Sequence, residues 1–306
     1  MTAAEPDPTP EATLRVAGTP VADHVTDVGW WEPTLAPRPH LHPVRTLAGV
    51  EVTEARPVDH PWHLGVFVAV QDVEDCNFWG GRTFVRGQGP TWRPDHGSVR
   101  HERWTHRDAD ALASEQSWIS VAGETVISET RATRSLVGPP TTGGWVLDYA
   151  FTLRNVTGRD LDLGSPATNG KVGGGYGGFF WRAPLSSATP RVFTATAEGE
   201  EAVHTTRSGW LAFLGHHPNA EDLVRGDGPT GDYTLLFVPA DERTAEDPWF
   251  VRVADYPGVG SSLAPEHPLR LPAGDSLRRR FRVLVLDGHL ERGACADAAR
   301  SVAELP

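Results

Sequence analysis

Alternation of hydrophobic and polar positions dominates the chain and predicts strands far more often than helices. Residues 65–70 form a short apolar run, which is typical of a buried strand. Residues 118–134 carry two alternating segments about a glycine turn, and residues 145–156 and 277–286 alternate in the same way. The best helical candidate is the alanine-rich stretch 293–305. We therefore expect many short strands and one short C-terminal helix packed outside a sheet.

The distribution of turn residues indicates an all-β fold. The 306 residues include 32 glycines and 26 prolines spread along the whole chain, as expected for strands separated by turns. The sequence shows no repeat of the length found in propellers or solenoids, and no crossover helices of a doubly wound α/β fold. We expect a large antiparallel β-sandwich, with residues 11–306 as a single domain and residues 1–10 as a disordered N-terminal tail.

Charge and composition narrow the class of partner. The chain has 40 acidic and 28 basic side chains, a net charge of −12, which disfavours nucleic acid and anionic membrane surfaces. It has neither an apolar run long enough to span a membrane nor the pattern of a signal peptide. Cys76 and Cys295 are too isolated to indicate a disulfide framework or a cysteine metal site. We expect a cytoplasmic protein that binds a small molecule.

The densest group of reactive side chains lies in the first quarter of the chain. His40 and His42 are followed by Asp59, His60 and His63, the last three within the segment V-D-H-P-W-H-L-G. Imidazoles exchange protons near neutral pH, so His60 and His63 are candidate catalytic residues and His42 a candidate substrate-binding residue. Two other interpretations stay open: histidines that hold a loop, or ligands of a divalent metal, since His40 and His42 share one face of a strand.

A second candidate segment is the glycine-rich stretch 169–184, N-G-K-V-G-G-G-Y-G-G-F-F-W-R-A-P. Its glycines permit close backbone approach, but it lacks the sequence of a phosphate-binding Walker loop. Lys171, which is the only lysine in the chain, Tyr176 and Arg182 are candidates for binding an oxygen-rich ligand. The alternative is a glycine-rich loop followed by an edge strand.

Five further residues are candidates on weaker grounds. Trp62 lies between His60 and His63, and its flat indole suits either a sugar face or a hydrophobic core. Asn77 and Trp79 belong to the neighbouring segment C-N-F-W-G-G, and His96 lies in a loop-like stretch. Glu129 alternates along a predicted strand and is a candidate acid or base, with a solvated surface position as the alternative.

The segments R-T-L-A-G-V-E-V-T, D-H-P-W-H-L-G-V-F-V-A and N-F-W-G-G resemble a bacterial family labelled PmoA-like or methane-oxygenase-like. The resemblance continues at residues 174–184 and 248–252 and covers most of the chain from about residue 39 onward. A membrane monooxygenase subunit needs spanning helices, which this sequence lacks, so that activity is set aside. The resemblance implies a β-supersandwich similar to galactose mutarotases, which use a histidine acid and a glutamate base on a concave sheet face.

These observations predict a carbohydrate-active enzyme that uses histidine acid–base chemistry. It would be an epimerase, or a lyase or hydrolase acting on a sugar or an oxidised glycoside. One alternative is a non-catalytic sugar-binding protein with a tryptophan-lined cleft. The other is a metal-dependent enzyme using His40, His42, His60 or His63; the sequence requires no cofactor, but a divalent metal is compatible with it.

Overall fold

The structure, a computed structural model, describes residues 10–26, 32–186, 188–217 and 231–306. The tail predicted for residues 1–10 lies outside these ranges except for its last residue. A short 3₁₀ helix spans Pro33–Leu35. In chain order the other elements are β1 (Ala12–Val16), β2 (Thr19–Val25), β3 (His40–Val44), β4 (Val66–Ala69), β5 (Asp72–Val73), β6 (Thr83–Val85), β7 (Gly89–Thr91), β8 (Ser98–Arg107), β9 (Ala111–Ile119), β10 (Thr125–Val137), β11 (Trp145–Asn155), β12 (Leu161–Gly164), β13 (Gly178–Arg182), β14 (Arg191–Phe193), α1 (Glu200–Val203), β15 (Leu211–His216), β16 (Asp232–Pro239), α2 (Glu242–Ala245), β17 (Trp249–Arg252), β18 (Gly258–Ser261), β19 (Leu269–Leu271), β20 (Ser276–Asp287) and α3 (Arg292–Ala303).

Two large antiparallel sheets contain most of these strands. The first sheet has the order β1-β2-β3-β4-β13-β18-β17, and the second has the order β14-β15-β16-β20-β11-β10-β9-β8. Smaller sheets pair β19, β12 and β5, and β6 with β7. The predicted all-β class with antiparallel sheets is confirmed.

The main hydrophobic core is contributed by both large sheets. Along β9, side chains are alternately buried and partly exposed, which is the pattern of a strand with one covered face. The indoles of Trp118, Trp145, Trp181 and Trp249 are almost fully buried in this core. These four tryptophans therefore serve packing, which is the usual role of such large apolar surfaces.

The C-terminal helix α3 covers the other face of the second sheet. Cys295, Ala298 and Val302 are buried there against Val146 and Leu284 of the sheet. This confirms the prediction of a short helix on the outside of a sheet. Among the described residues, none of the helices has both the length and the apolar character needed to cross a membrane.

The centre of the first sheet brings together three distant chain segments. Strand β13 pairs with β4 on one side and with β18 on the other. The segment before β4, the glycine-rich segment before β13 and the connection from β17 to β18 consequently lie near one another. Their side chains form the site described below.

Candidate functional site

A cavity of about 590 Å³ lies where these three segments meet, and we call it the His60 cavity. Its volume is within the range of about 300–1,000 Å³ that is usual for small-molecule sites. It is lined by Asp59, His60, Trp62, His63, Trp79, Gly80, Arg82, Pro90, Trp92, Lys171, Tyr176, Phe250, Arg252, Asp255 and Tyr256.

The structure brings the two candidate segments of the sequence to this one cavity. The cluster around His60 and the glycine-rich segment lie more than 100 positions apart in the chain, yet both line it. The predicted site residues that line the cavity are His60, Trp62, His63, Trp79, Lys171 and Tyr176.

Asp59 links a buried arginine to the partly exposed His60. Nδ1 of His60 donates to Oδ2 of Asp59 over 2.7 Å. Nη1 and Nη2 of Arg182 donate to the two oxygens of Asp59 over 3.0 and 2.9 Å, which is a bidentate contact. Burial alone would raise the pKa of Asp59, but the hydrogen bonds from Arg182 and His60 outweigh it and lower that pKa. The ionised carboxylate only accepts, so neutral His60 carries its proton on Nδ1 and has an unprotonated Nε2.

His63 lies behind His60 in a different protonation environment. The two imidazole rings stack with centroids 4.7 Å apart and planes 14° apart. Nη1 of Arg182 lies 3.5 Å from Nδ1 of His63, and this nitrogen must be the acceptor because a guanidinium only donates. Burial first, and then neighbouring positive charge, lowers the pKa of His63 well below 6.5. His63 is therefore neutral, with its proton on Nε2.

Arg182 is placed by the register of β13. Its backbone N–H donates to the carbonyl of Gly65 over 2.9 Å. Its side chain is fully buried, and its guanidinium lies 5.3 Å from the ring centroid of Tyr256. Nη2 also lies 3.5 Å from Oε2 of Glu54. A buried cation needs anionic partners, and the carboxylates of Asp59 and Glu54 supply them.

Aromatic side chains form much of the cavity wall. The rings of Trp79 and Tyr176 have centroids 4.6 Å apart, and those of Trp62 and Trp92 are 6.3 Å apart in an edge-to-face arrangement. Tyr256 lies 4.5 Å from the His60 ring. Trp92 is 53% exposed, so its indole is available at the rim. Such a wall can stack against an apolar face of a ligand and still present polar edges.

Asn77 and His96 form hydrogen bonds to the loop that carries Trp79. Oδ1 of Asn77 accepts hydrogen bonds from the backbone N–H groups of Trp79 and Gly80, each over 2.9 Å. Nε2 of His96 donates to the carbonyl of Gly81 over 2.6 Å. Neither side chain lines the cavity. Both fix the loop that carries Trp79, so they position binding residues instead of contacting a ligand there.

Glu129 and His42 lie away from the His60 cavity. Glu129 is fully buried and accepts from Nε1 of Trp118 over 2.8 Å and from Nε of Arg131 over 2.7 Å. It belongs to the second sheet, whereas the cavity is built on the first. His42 lines another cavity of about 340 Å³, where its Nδ1 lies 3.0 Å from Oγ1 of Thr53. Neither side chain lines the His60 cavity.

The four histidines of the sequence cluster separate into two places. His40 and His42 line the cavity of about 340 Å³, whereas His60 and His63 line the His60 cavity. Burial lowers the pKa of His40 to about 3, although a hydrogen bond with the backbone of Arg38 opposes this. Across the described ranges, no group of three or more His, Cys, Asp or Glu side chains is arranged to hold a metal ion.

The family model that matches the sequence is the "Family of unknown function (DUF6807)", over residues 11–300. The chain belongs to the DUF6807 family. No curated protein matches it. The matching family carries the DUF6807 description, so the PmoA-like relationship stays a prediction.

Two solved structures match this DUF6807 protein with low TM-scores. One is a galactose 1-epimerase from Lactobacillus acidophilus NCFM, with a TM-score of 0.35, 7% identity and coverage of 90% of this chain and 97% of that one. The other, assigned as a kojibiose phosphorylase from the human microbiome, has a TM-score of 0.30 and 7% identity over 63% of this chain. The match spans 20% of the phosphorylase chain. Overlaps of this extent carry no argument about activity.

The sequence did not identify several residues that line the His60 cavity. Asp59 stood inside the histidine segment but was not assigned a role. Phe250 and Arg252 lie in the P-W-F-V-R segment that contributed to the family resemblance, which was an available signal. Asp255 and Tyr256 had no such signal, because only the pairing of β17 with β18 brings their loop to the cavity.

Proposed function

We propose that this protein is a carbohydrate-active enzyme in which His60 moves a proton to or from a sugar bound in the His60 cavity. The observation that carries the proposal is the carboxylate of Asp59, held by buried Arg182 and bound to Nδ1 of His60. This contact orients the imidazole and leaves Nε2 to accept a proton. Nε2 has no hydrogen-bond partner within the described residues, and the ring lines the cavity.

His63 supports a complementary role. Because its pKa is far below neutral, it stays uncharged while His60 changes protonation state. Its Nε2–H can donate to a substrate oxygen, whereas the Nε2 of His60 accepts. A donor and an acceptor on two stacked rings can bind a hydroxyl or carbonyl and remove a neighbouring proton.

The cavity wall supports a sugar as the ligand class. Indole and phenol rings cover the apolar face of a pyranose, and the lining groups of Arg82, Lys171, Arg252 and Asp255 offer hydrogen bonds to its hydroxyls. This combination of flat apolar surface and several polar groups is what a polyhydroxylated ring requires.

Among the reaction classes, epimerisation or elimination fits better than hydrolysis by two carboxylates. The carboxylates that line the cavity are Asp59 and Asp255. Asp59 stays ionised through its contacts with Arg182 and His60, so it is unsuited to protonate a leaving group. Proton removal by His60 needs no such acid. The same cavity would, without turnover, act as a sugar-binding site, and its aromatic wall favours this as the second candidate function.

A proton NMR time course tests the proposal. The protein is incubated with simple sugars, 3-keto-glycosides and 1,5-anhydro sugars, with and without a divalent metal. We expect substrate signals to change with the wild type and at least about 100-fold more slowly with His60→Gln, because general base catalysis contributes at least this much. Equal rates for the wild type and His60→Gln would overturn the assignment. Line broadening without product would favour the binding protein.

A matched control is available elsewhere in the chain. Nδ1 of His216 lies 2.8 Å from Oδ1 of Asp232, which is the same type of contact as in the pair His60 and Asp59. His216 does not line the His60 cavity. His216→Gln should therefore leave the rate unchanged.

The proposal also includes three predictions made from the sequence. They are the organisation of residues 11–306 as a single domain, a cytoplasmic location and a PmoA-like relationship. A small-molecule carbohydrate remains the proposed partner.

A further inference from the structure

Another cavity, of about 760 Å³, adjoins the His60 cavity, and we call it the Thr205 cavity. Lys171 lines both, so its side chain forms a wall that the two cavities share. Ala167, Thr205 and Arg207 line the Thr205 cavity and not the His60 cavity. Each cavity alone has the volume of a small-molecule site. Together they offer more room than a single sugar ring occupies.

The segment 171–173 begins at the residue that both cavities share, and hydrogen bonds to Gly173 hold it in place. The carbonyl of Gly173 accepts from Nη2 of Arg252 over 2.7 Å and from Nε2 of His204 over 3.0 Å. Arg252 lines the His60 cavity and Gly173 lines the Thr205 cavity, so this hydrogen bond joins a residue of one cavity to a residue of the other. Gly173 has a φ of +66°, a conformation that glycine adopts without strain. The segment 171–173 is thus held in place beside the two cavities.

Each of the two cavities has an exposed apolar side chain in its lining. Trp92 is 53% exposed and lines the His60 cavity, while Val172 is 97% exposed and lines the Thr205 cavity. Each cavity therefore offers an apolar contact to a ligand. Nζ of Lys171 lies 5.8 Å from the ring centroid of Tyr176, which lines the His60 cavity.

We infer that the ligand is a saccharide or glycoside of at least two units that extends across Lys171. One unit lies against His60 and the aromatic wall, and the next lies in the Thr205 cavity. The ammonium group of Lys171 donates to the oxygens near the linkage. This inference rests on the proposed function, because it takes the ligand of the His60 cavity to be a sugar.

Lys171 offers a site-specific reporter because it is the only lysine in the chain. Reductive methylation with ¹³C-formaldehyde labels its amine, along with the N-terminal amine, and keeps the positive charge. Glucose, galactose, mannose and xylose are titrated in parallel with their β-1,4- and α-1,4-linked dimers and trimers. We expect dimers to bind about tenfold more tightly than the corresponding monomer, a gain of about 1.4 kcal/mol. The methyl signal of Lys171 should shift more with the dimer.

Two substitutions test whether the gain comes from the Thr205 cavity. Ala167→Phe fills that cavity and should abolish the gain from the second unit while leaving monomer affinity unchanged. Ala122→Phe is the matched control, because Ala122 is an exposed turn residue that lines neither cavity. Arg207→Gln removes an exposed cation from the Thr205 cavity without added bulk, and it should also reduce the gain from the second unit. This variant replaces Ala167→Phe as the test if Ala167→Phe does not fold.

The outcomes separate this inference from the proposed function. Equal affinity of the wild type for monomer and dimer, or a dimer gain that is the same in Ala167→Phe as in Ala122→Phe, would overturn the inference and leave the proposed function standing. Failure of every saccharide to bind would overturn both.

Discussion

Asp59 shares its carboxylate between a buried guanidinium and a partly exposed imidazole. Its contact with Arg182 neutralises a charge that is fully buried, and its contact with His60 sets the tautomer of the ring. One side chain therefore contributes to both the stability of the first sheet and the chemistry of the cavity. This double role makes it the most informative single substitution.

Asp59→Asn should lower both activity and stability. The amide leaves the guanidinium of Arg182 without its bidentate partner, which we expect to reduce the free energy of unfolding by about 1–3 kcal/mol. The folded-state pKa of Asp59 is lowered, so its stabilisation is present above the ordinary value of 3.8 and is lost as the pH falls through the folded value. Urea unfolding of both proteins at pH 7 measures this difference.

The matched control for Asp59→Asn is Asp232→Asn. Asp232 is 38% exposed and contacts His216, which is 39% exposed, so the loss at neutral pH should be below about 1 kcal/mol. Equal losses for the two substitutions at pH 7 would contradict the role given to Arg182.

The loop between β5 and β6 sets the position of Trp62. Gly81 has a φ of +70°, and a Cβ at this position would lie 2.5 Å from Cε2 of Trp62. Asn77 holds the same loop through its side-chain hydrogen bonds. The indole therefore rests against a glycine that no larger residue can replace without moving it.

Gly81→Ala should displace the Trp62 indole and weaken ligand binding about tenfold or more, as expected when an aromatic stacking contact of 1.4 kcal/mol is lost. Gly87→Ala is the control, because Gly87 has a similar φ of +77° and nothing within 4 Å of its Cβ position. Both substitutions introduce backbone strain, and only Gly81→Ala introduces the collision. Titration of the intrinsic tryptophan fluorescence with ligand measures the effect, and equal affinities in the two variants would contradict this account.

Individual elements were predictable because their periodicity is local. The apolar run 65–70 becomes β4, the segments 145–156 and 277–286 become β11 and β20, and stretch 293–305 becomes α3. Glu129 and Arg131 are two positions apart in β10, and their side chains are hydrogen-bonded on one face of it. Alternation gives the face of a strand but not what covers that face. The sequence therefore could not show that this face is interior rather than part of a cavity.

The composition of the site was less predictable because it depends on contacts between distant segments. The residues around His60 were recognisable from their density. The loop containing Tyr256 joins β17 to β18 and reaches them through the pairing of β18 with both β17 and β13. The separation of His42 from His60 likewise follows from the path of the connection between β3 and β4, which has no periodic pattern.

At the scale of the whole molecule, three buried histidines make stability depend on pH. Burial lowers the pKa values of His24, His40 and His63 below the ordinary value of 6.5. The unfolded chain therefore binds more protons than the folded one once the pH falls below 6.5. Stability is full above that value and is lost on acidification, with each histidine contributing up to about 1.4 kcal/mol per pH unit.

Urea unfolding at pH 7.5, 6.5 and 5.5 checks this expectation. The free energy of unfolding should fall by about 1 kcal/mol between pH 7.5 and 6.5 and by about 3 kcal/mol more by pH 5.5, before most carboxylates are protonated. Stability that does not change, or that rises, between pH 6.5 and 5.5 would show that these histidines are not buried in their neutral form.

The most direct test of the account is a long-range proton–nitrogen NMR spectrum of the imidazole rings at pH 7.5, assigned with His60→Gln and His63→Gln. The account predicts the Nδ1–H tautomer for the neutral form of His60 and a neutral Nε2–H tautomer for His63. It further predicts that a bound sugar shifts the Nε2 signal of His60 and leaves His216 unchanged. A proton on Nε2 of neutral His60, or a charged His63 at this pH, would contradict it.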